Sequence, residues 1–308
     1  MFSRWAIIIA ASSLASCSRD SIPTGTAQGT PATRYVVTDL GTIKGFEKSC
    51  AHGINSRGQV VGASYNGIWA TGHAFLYSDG KMIDLGTLGG ESSQAVGIND
   101  NGQVVGWSET TGAARHAFLY SEGRLKDLGT LGGSSWATAI NSAGEVVGYF
   151  SLGDNERAFL FSNGKMRDLG TLGGARSNAH GINADGQIVG DSTIGREGVQ
   201  SLPHAFLYTH GQMTDLGILA AAFEPNTRSS GGISNAYAIN AGGQVVGMST
   251  DREGHAHAFL YANGRMTDLG VLGQKHSEAR AINTIGEVVG DGITSMGLGH
   301  PFCTETGE

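Results

Sequence analysis

The sequence lacks the features that mark several common classes of protein. Lys and Arg number 20 against 27 Asp and Glu among 308 residues, without basic clusters, so nucleic acid is not an expected partner. Beyond the first sixteen residues no apolar run is long enough to cross a bilayer. The 3.6-residue apolar periodicity of helices is also missing, which excludes a helical array.

The first residues have the layout of an export signal. A single cation, Arg4, precedes an apolar stretch from Trp5 to Leu14, and small residues follow. Leu14-Ala15-Ser16-Cys17 resembles the lipobox of bacterial lipoproteins. The resemblance implies that residues 1–16 are a signal peptide and that Cys17 becomes the lipidated N-terminus. Ordinary secretion with a chance cysteine is the alternative.

The segment after Cys17 reads as a flexible tether. Residues 17–33 are small, polar and contain Pro and Gly, which suits a spacer between a lipid surface and a folded domain at 34–308. Ser18, rather than Asp, follows the cysteine, and by analogy with sorting in enteric bacteria this favours the outer membrane. We therefore expect an exported protein held to the cell envelope, with the lipid bilayer as a partner.

The rest of the chain is a sixfold repeat. The motif I-N-x-x-G-x-[VI]-V-G recurs at spacings of 44, 42, 42, 57 and 43 residues. Its copies begin at Ile54, Ile98, Ile140, Ile182, Ile239 and Ile282. Each repeat holds four strand-like runs separated by turn residues, which is the pattern of a β-propeller blade.

The two ends of the repeat region complete one another. The segment "YVVTDLG" is a fourth strand with no third strand before it, and "HPFCTETGE" is a third strand with no fourth strand after it. We predict an all-β, six-bladed propeller with four-stranded antiparallel blades, its ring closed by one N-terminal and three C-terminal strands. The strand "AxGIN" is then innermost.

The recurring "HAFLY…DLGTLGG…AxGIN…GxVVG" resembles the HAF-repeat family of bacterial extracellular proteins. The match covers roughly residues 35–304. The resemblance implies export and a repeat fold, and it carries no reaction with it.

Recurrent polar residues are predicted to be scaffold. A His slot in the third strand and an Asp in the fourth should be diagonal neighbours, with Phe75 opposite Asp84 and His73 opposite Gly86. Acid–base pairs or metal ligands are the alternative, but the histidines lie in different blades, so we expect no metal site and no cofactor. The recurrent asparagines are interpreted as turn formers.

Cys50 and Cys303 are expected to be free or buried thiols. They fall in adjacent blades but in the first and third strands, which offsets their backbones too far for a disulfide.

The positions that differ between repeats are the candidate ligand-binding residues. They alternate along the innermost strand and mix aromatic, cationic, anionic and amide groups, which suits a polar ligand. The candidates are His52, Trp136, Asn178, His180, Asn235, Tyr237, Glu278 and Arg280. Drift at water-exposed positions is the alternative. Two long insertions, within 192–203 and 217–234, should crown the same face near blades 4 and 5.

These observations favour a lipid-anchored binding or interaction module for a glycan or peptide. The alternatives are a carbohydrate- or peptide-processing enzyme at the channel mouth and a purely structural surface protein. Nucleophile, base and orienting residue do not form a visible set, so catalytic residues are not assigned. The ligand and the oligomeric state are not predictable from the sequence.

Cys17→Ser tests the anchor. Because the lipid is attached through this cysteine, we expect the variant to lose acyl labelling and to move from the membrane to the soluble fraction. Unchanged labelling and fractionation would contradict the prediction.

Overall fold

The computed structural model describes residues 37–67, 71–195, 202–219, 232–271, 273–294 and 299–304. Within these ranges the chain forms 23 β-strands. No helix there is long and apolar enough to cross a membrane. The prediction of an all-β protein is confirmed.

The strands follow one another in antiparallel sheets that we call blades. Blades 1 to 4 are four-stranded sheets in sequence order, and in blade 5 the same order holds. Their strands are β1 Lys48–Ile54, β2 Val60–Asn66, β3 Thr71–Ser78, β4 Lys81–Gly86; β5 Gly89–Ile98, β6 Val104–Thr110, β7 Arg115–Ser121, β8 Arg124–Asp127; β9 Ser135–Ile140, β10 Val146–Leu152, β11 Asn155–Ser162, β12 Lys165–Asp168; β13 Gly173–Ile182, β14 Ile188–Ile194, β15 Pro203–Thr209, β16 Gln212–Gly217; β17 Ser234–Ile239, β18 Val245–Thr250, β19 Ala256–Ala262, β20 Arg265–Gly270.

The sixth repeat contributes three strands, which we call blade 6. They are β21 Gly273–Ile282, β22 Val288–Thr294 and β23 Gly299–Cys303. A single parallel bridge between Ala256 and His276 links this sheet to blade 5. Each blade has two ends: the crossing end, where the chain passes to the next blade, and the turn end, which carries the Asn-x-x-Gly turns.

Turn chemistry and one close approach fix the strand geometry. Asp79 and Gly80 both take positive φ, 52° and 74°, as the predicted two-residue hairpin requires. The glycine of the V-V-G run is needed for a different reason. A Cβ on Gly106 would overlap the carbonyl oxygen of Gln94, because the first and second strands approach each other closely beside a bulge.

The register confirms most of the predicted His–Asp bracing. Phe75 lies opposite Asp84, but Gly86 lies opposite Ala74 rather than His73, because a bulge shifts the register there. The third-strand His or Arg contacts the fourth-strand aspartate in each of the first five blades. These pairs are His73–Asp84 at 2.9 Å, His116–Asp127 at 2.9 Å, Arg157–Asp168 at 3.0 Å, His204–Asp215 at 2.9 Å and His257–Asp268 at 2.8 Å. Recurrence in all five blades makes the pair scaffold.

The core is divided into layers between neighbouring blades. Val105 and Ala117 of blade 2, for example, pack with Ala137, Phe150 and Phe159 of blade 3, and all five are almost completely buried. Each of the five layers between successive blades joins the second and third strands of one blade to the first, second and third of the next. Burial therefore holds blade to blade as well as strand to strand.

A ladder of asparagines joins the blades at the turn end. The asparagine Oδ1 accepts two backbone N–H groups of its own turn in blades 1 to 4 and 6, and the N–H of Gln244 in blade 5. In every blade its Nδ2 donates to the Gln or Glu four residues on. The same Nδ2 also donates to the backbone carbonyl of the next blade's asparagine. These bonds are Asn55→Asn99 at 3.1 Å, Asn99→Asn141 at 2.9 Å, Asn141→Asn183 at 3.1 Å, Asn183→Asn240 at 3.1 Å and Asn240→Asn283 at 3.0 Å. The asparagines are thus turn formers, as predicted, and also cross-links.

Serines join the blades at the crossing end. Ser93 Oγ accepts the backbone N–H of Ala74 at 2.9 Å and donates to the carbonyl of Gly86 at 2.6 Å. Thus one hydroxyl of blade 2 ties together two strands of blade 1. The same alanine-to-serine bond occurs at Ser135, Ser177, Ser234 and Ser277.

The predicted closing contact of the ring is not present among the described residues. Residues 37–40 lie outside any strand, and β23 pairs only with β22. The N-terminal segment still reproduces a blade crossing onto blade 1, since Ser49 Oγ donates to the carbonyl of Gly41 at 2.7 Å and Ile43 N donates to Ser64 Oγ at 3.0 Å. The N-terminal segment thus contacts blade 1 as in the other blades, whereas the contact predicted between this segment and β23 of blade 6 is absent among the described residues.

One substitution accounts for the difference, and the burial of one valine reflects it. Pro301 occupies the position of the alanine whose N–H reaches the next blade's serine, and proline has no N–H. Val289 is 48% exposed, whereas its counterpart Val246 is fully buried. A cavity of about 530 Å³ lies along this face of blade 6, lined in part by Val289, Pro301 and Phe302.

The two remaining cysteines differ from each other. Cys50 is a free thiol, so it is not bonded to Cys303, as predicted. Cys303 is disulfide-bonded, and the prediction of a thiol there is wrong.

Asn141→Ala and Asn283→Ala form a matched pair that isolates the cross-link. Both side chains bond a glutamate four residues on, at 2.9 and 2.6 Å, but only Asn141 donates to a following blade. We expect Asn283→Ala to cost about 1–3 kcal/mol of unfolding free energy and Asn141→Ala about 1 kcal/mol more. Denaturant titration measures both. Equal losses would show that the bond between blades contributes nothing.

Candidate ligand-binding site

The predicted site residues lie on the first strand of each blade, as the sequence indicates. First strands of successive blades carry the asparagine ladder at one end and the serine junctions at the other, which places them side by side in the centre of the array. Along each strand two variable side chains alternate with small buried residues. Ala95, Ala179 and Ala236, for instance, are fully buried.

Three of the predicted residues form a row across blades 4, 5 and 6. His180, Tyr237 and Arg280 occupy the same position of β13, β17 and β21. The His180 ring meets Tyr237 edge-on at a centroid distance of 6.0 Å, and the Arg280 guanidinium lies 5.1 Å from the centre of the same ring. We call these three side chains the central row.

Carboxylates flank the central row at both ends. His180 Nε2 lies 2.6 Å from Asp191 Oδ1. Arg280 contacts Glu278 at 2.6 Å through Nη2 and Asp291 at 2.9 Å through Nε. The central row therefore presents an imidazole, a phenol and a guanidinium, and three carboxyl groups flank it. Its one permanent cation, Arg280, already has two anionic partners.

The surroundings keep the phenol neutral and the guanidinium charged. Burial raises the pKa of Tyr237 above its ordinary value, a hydrogen bond with Asn235 opposes this, and Glu278 adds to it. For Arg280, burial lowers the pKa, but the hydrogen bond to Asp291 and the charge of Glu278 outweigh it and leave the pKa raised. At neutral pH the row thus offers a phenolic O–H and a fixed cation.

Two more predicted residues lie beside the row, in blades 3 and 4. Trp136 stacks on Tyr149 of the adjacent strand, with ring centroids 5.1 Å apart and planes tilted by 22°. Asn178 Nδ2 lies 3.4 Å from Glu156, while its Oδ1 is buried with no hydrogen-bond partner. One face of the Trp136 ring is therefore already covered by the protein.

His52 is separate from this group. Its Nδ1 lies 3.0 Å from the carbonyl of Ala95, and Gln94 contacts its Nε2 at 3.2 Å. Thr138 in blade 3 makes the equivalent bond, to the carbonyl of Ala179 at 2.8 Å. A contact repeated in this way braces neighbouring blades, so the structure gives His52 a structural role and does not bring it to the central row.

The sequence reasoning missed the residue that follows each V-V-G run. It lies opposite the first variable position of the inner strand, as Trp107 does opposite Gln94 and Asp191 opposite Asn178. The sequence signal that could have identified this position is its variation from repeat to repeat. In the six repeats the position holds Ala63, Trp107, Tyr149, Asp191, Met248 and Asp291.

Trp107 lines a separate cavity of about 200 Å³ at the crossing end of blades 1 and 2. Its indole N–H donates to Gln94 at 3.1 Å, and the Arg115 guanidinium lies 4.6 Å from the ring centre. This cavity was not predicted, and it is small for a glycan or a peptide.

The roots of the two long insertions emerge at the crossing end, as predicted. Ile194 N donates to the carbonyl of Leu202, and Leu219 N donates to Ser249 Oγ. Most of each insertion, residues 196–201 and 220–231, lies outside the described residues. Only the first and last residues of the two insertions are therefore placed near blades 4 and 5, and the predicted position of the rest lies outside the described residues.

Two groups of side chains have the spacing of metal ligands. One is His276, Glu278 and Asp291, where Arg280 already pairs with both carboxylates. The other is Asp251, His255 and His257 in blade 5.

Neither a protein-family model nor a curated protein matches the sequence. Solved structures are similar in fold. One is the β-propeller domain of the Trilobed protease from Pyrococcus furiosus, which has an open velcro topology. The alignment covers 88% of this chain and 80% of that domain's chain, with a TM-score of 0.56 and 9% sequence identity. A puromycin-hydrolyzing peptidase from Mycobacterium tuberculosis aligns with 80% of this chain, with a TM-score of 0.51 and 12% sequence identity. A prolyl endopeptidase aligns with 81% of this chain, with a TM-score of 0.52 and 10% sequence identity.

These likenesses establish a β-propeller fold. The chain spans 40% and 41% of the two peptidases. At such identities the likeness carries no activity with it.

Proposed function

We propose that the protein is a lipid-anchored propeller module of the cell envelope that binds a polar ligand at the crossing end, over the central row. The observation that carries the proposal is the row itself. The recurrent asparagines and serines hold neighbouring blades together, and the His–Asp pairs brace single blades. The central row differs because one position places three different functional side chains next to each other in successive blades.

The charges of the site select the class of ligand. Arg280 is 53% exposed, but Glu278 and Asp291 already pair with it, so it offers little net attraction to an anion. Asp191 adds a further carboxylate at the other end of the row. A neutral, hydroxyl-rich glycan or a neutral peptide fits this set of donors and acceptors better than a polyanion.

The anchor and the location belong to the same proposal. Cys17 would hold the propeller to the envelope through the tether at 17–33, with the outer membrane favoured. Acyl labelling of Cys17 is the deciding measurement.

We further propose six blades, with the N-terminal segment completing the sixth. The crossing onto blade 1 supports this, since Gly41, Ile43 and Ser49 make the same contacts as their counterparts in the other blades. The sixth junction differs from the other five at Pro301. It is therefore the weakest point of the proposed ring.

A processing enzyme is the second candidate. The His180–Asp191 pair has the geometry of a general base with an orienting carboxylate, and the central row is partly exposed. Among the described residues, no hydroxyl or thiol is hydrogen-bonded to His180, which favours binding over covalent catalysis. Release of product from a bound glycan or peptide would decide for the enzyme.

Tyr237→Ala tests the binding site. On an array of neutral oligosaccharides and short peptides, we expect the variant to bind the wild type's best ligand at least about tenfold more weakly, because an aromatic contact of this kind contributes about 1.5 kcal/mol. Val96→Ala, at the same position of blade 2, is the matched control and should bind normally. Binding that survives Tyr237→Ala but is lost on changing the turn end would contradict the site.

Pro301→Ala tests the sixth junction, because a closed and an open ring predict changes of opposite sign in the free energy of unfolding. In a closed ring the new N–H can reach Ser49 Oγ, and we expect the free energy of unfolding to rise by about 1 kcal/mol. In an open ring the same change only loosens the unfolded chain and should cost about 0.4–1 kcal/mol. Ala258→Pro is the reciprocal control, because it removes the bond to Ser277 in blade 5 and should destabilise the protein.

A further inference from the structure

The loop between the second and third strands of blade 5 brings two extra polar side chains to the scaffold histidine of that blade. Asp251 Oδ2 lies 3.5 Å from His257 Nε2 and 3.3 Å from His255 Nδ1. All three side chains are partly buried, between 14% and 23% exposed. Two imidazole nitrogens and one carboxylate oxygen thus converge on a single point.

We propose that Asp251, His255 and His257 bind a divalent transition-metal ion, zinc foremost. Zinc takes nitrogen and oxygen ligands at about 2.0–2.2 Å, so the ligand atoms of a tetrahedral site lie roughly 3.3–3.5 Å apart. The two Asp–His separations in blade 5 fall in this range. Imidazole and carboxylate together suit zinc better than calcium or magnesium, which favour oxygen.

The neighbouring groups orient each ligand. His257 Nδ1 contacts Asp268 at 2.8 Å, which fixes that nitrogen as the donor and leaves Nε2 as the lone-pair atom facing Asp251. Asp251 Oδ1 accepts the backbone N–H groups of Glu253 and His255 at 2.9 and 2.8 Å, so Oδ2 is the oxygen left for an ion. This carboxylate–histidine–metal arrangement is the usual support of a zinc ligand.

A loop with the same closing hydrogen bond forms in blade 2 without these side chains. Blade 2 has the same five-residue loop, in which Thr110 N donates to the carbonyl of Ala114 at 2.9 Å, as Asp251 N donates to the carbonyl of His255 at 2.8 Å. Thr110 and Ala114 take the places of Asp251 and His255, while His116 keeps its pair with Asp127. The acidic and imidazole side chains of blade 5 are therefore additions to a loop that forms without them.

Three protein ligands leave one tetrahedral position open. Such a site holds a water molecule or an oxygen of another ligand, in contrast to structural zinc sites, which are closed by four protein ligands. The partial exposure of His255 provides an entry path for the ion. The site lies at the crossing end of blade 5 and is independent of the central row.

The test replaces the blade 5 residues by those of blade 2. We expect the wild type to bind one equivalent of Zn²⁺ in calorimetry, to give the visible absorption of tetrahedral Co²⁺, and to melt at a higher temperature with Zn²⁺. Asp251→Thr with His255→Ala should weaken Zn²⁺ binding by about 100-fold or more, and Asp268→Asn by about 10–100-fold. The melting temperature of the double variant should not rise when Zn²⁺ is added, whereas its value with a chelator falls slightly because Asp251 accepts two hydrogen bonds within the loop.

The reciprocal exchange asks whether the three residues suffice. Thr110→Asp with Ala114→His should give blade 2 a second equivalent of Zn²⁺, and His276→Ala should leave the wild-type affinity within about twofold. Zinc binding that persists in the blade 5 double variant, or that is lost with His276→Ala, would overturn the proposal. A folded blade 2 variant that gains no ion would overturn the claim that these ligands make the site.

Discussion

The cross-links between neighbouring blades are the interactions on which the rest of the structure depends. A sheet of four short strands cannot bury both of its faces alone, so each blade is stable only against a neighbour. The asparagine side chain does two tasks in one place, because it closes its own turn and also donates to the next blade. Serine does the same at the crossing end with a single hydroxyl. These groups are buried, so the loss of any one leaves unpaired partners behind.

The blade pattern was readable because each of its signals is local. Asx turns, a hairpin turn with two positive φ values and alternating apolar residues predict strands, and sixfold recurrence predicts blades. The Phe75–Asp84 register and the His–Asp pairs follow from turn length alone. The bulge that moves Gly86 opposite Ala74 does not, because it results from how the chain leaves the fourth strand toward the next blade. Ring closure also depends on contacts far apart in sequence, and there Pro301 alters the pattern.

The candidate site was predictable in its position and less so in its members. Small residues at the buried positions of the inner strand point to the variable ones between them, and three of these form the central row. The sequence does not distinguish His180, which faces Asp191 and Tyr237, from His52, which braces a neighbouring blade through the carbonyl of Ala95. That distinction depends on which groups the next blades present. The same holds for His257, whose repeat position predicts scaffold but whose loop adds two further ligating side chains.

The difference at the sixth junction implies an order in which the blades open. In an array stabilised by nearest-neighbour contacts, opening begins where a unit has the fewest neighbours and then spreads along the array. Among the described residues, blade 6 has an exposed valine and a proline where the other blades have a donor, so we expect thermal opening to start there and to travel toward blade 5. Amide hydrogens should accordingly exchange in order of distance from this seam. A molecule built from near-identical copies is thus expected to have one copy that opens first, and the substitution that sets this copy apart removes a hydrogen-bond donor from the backbone.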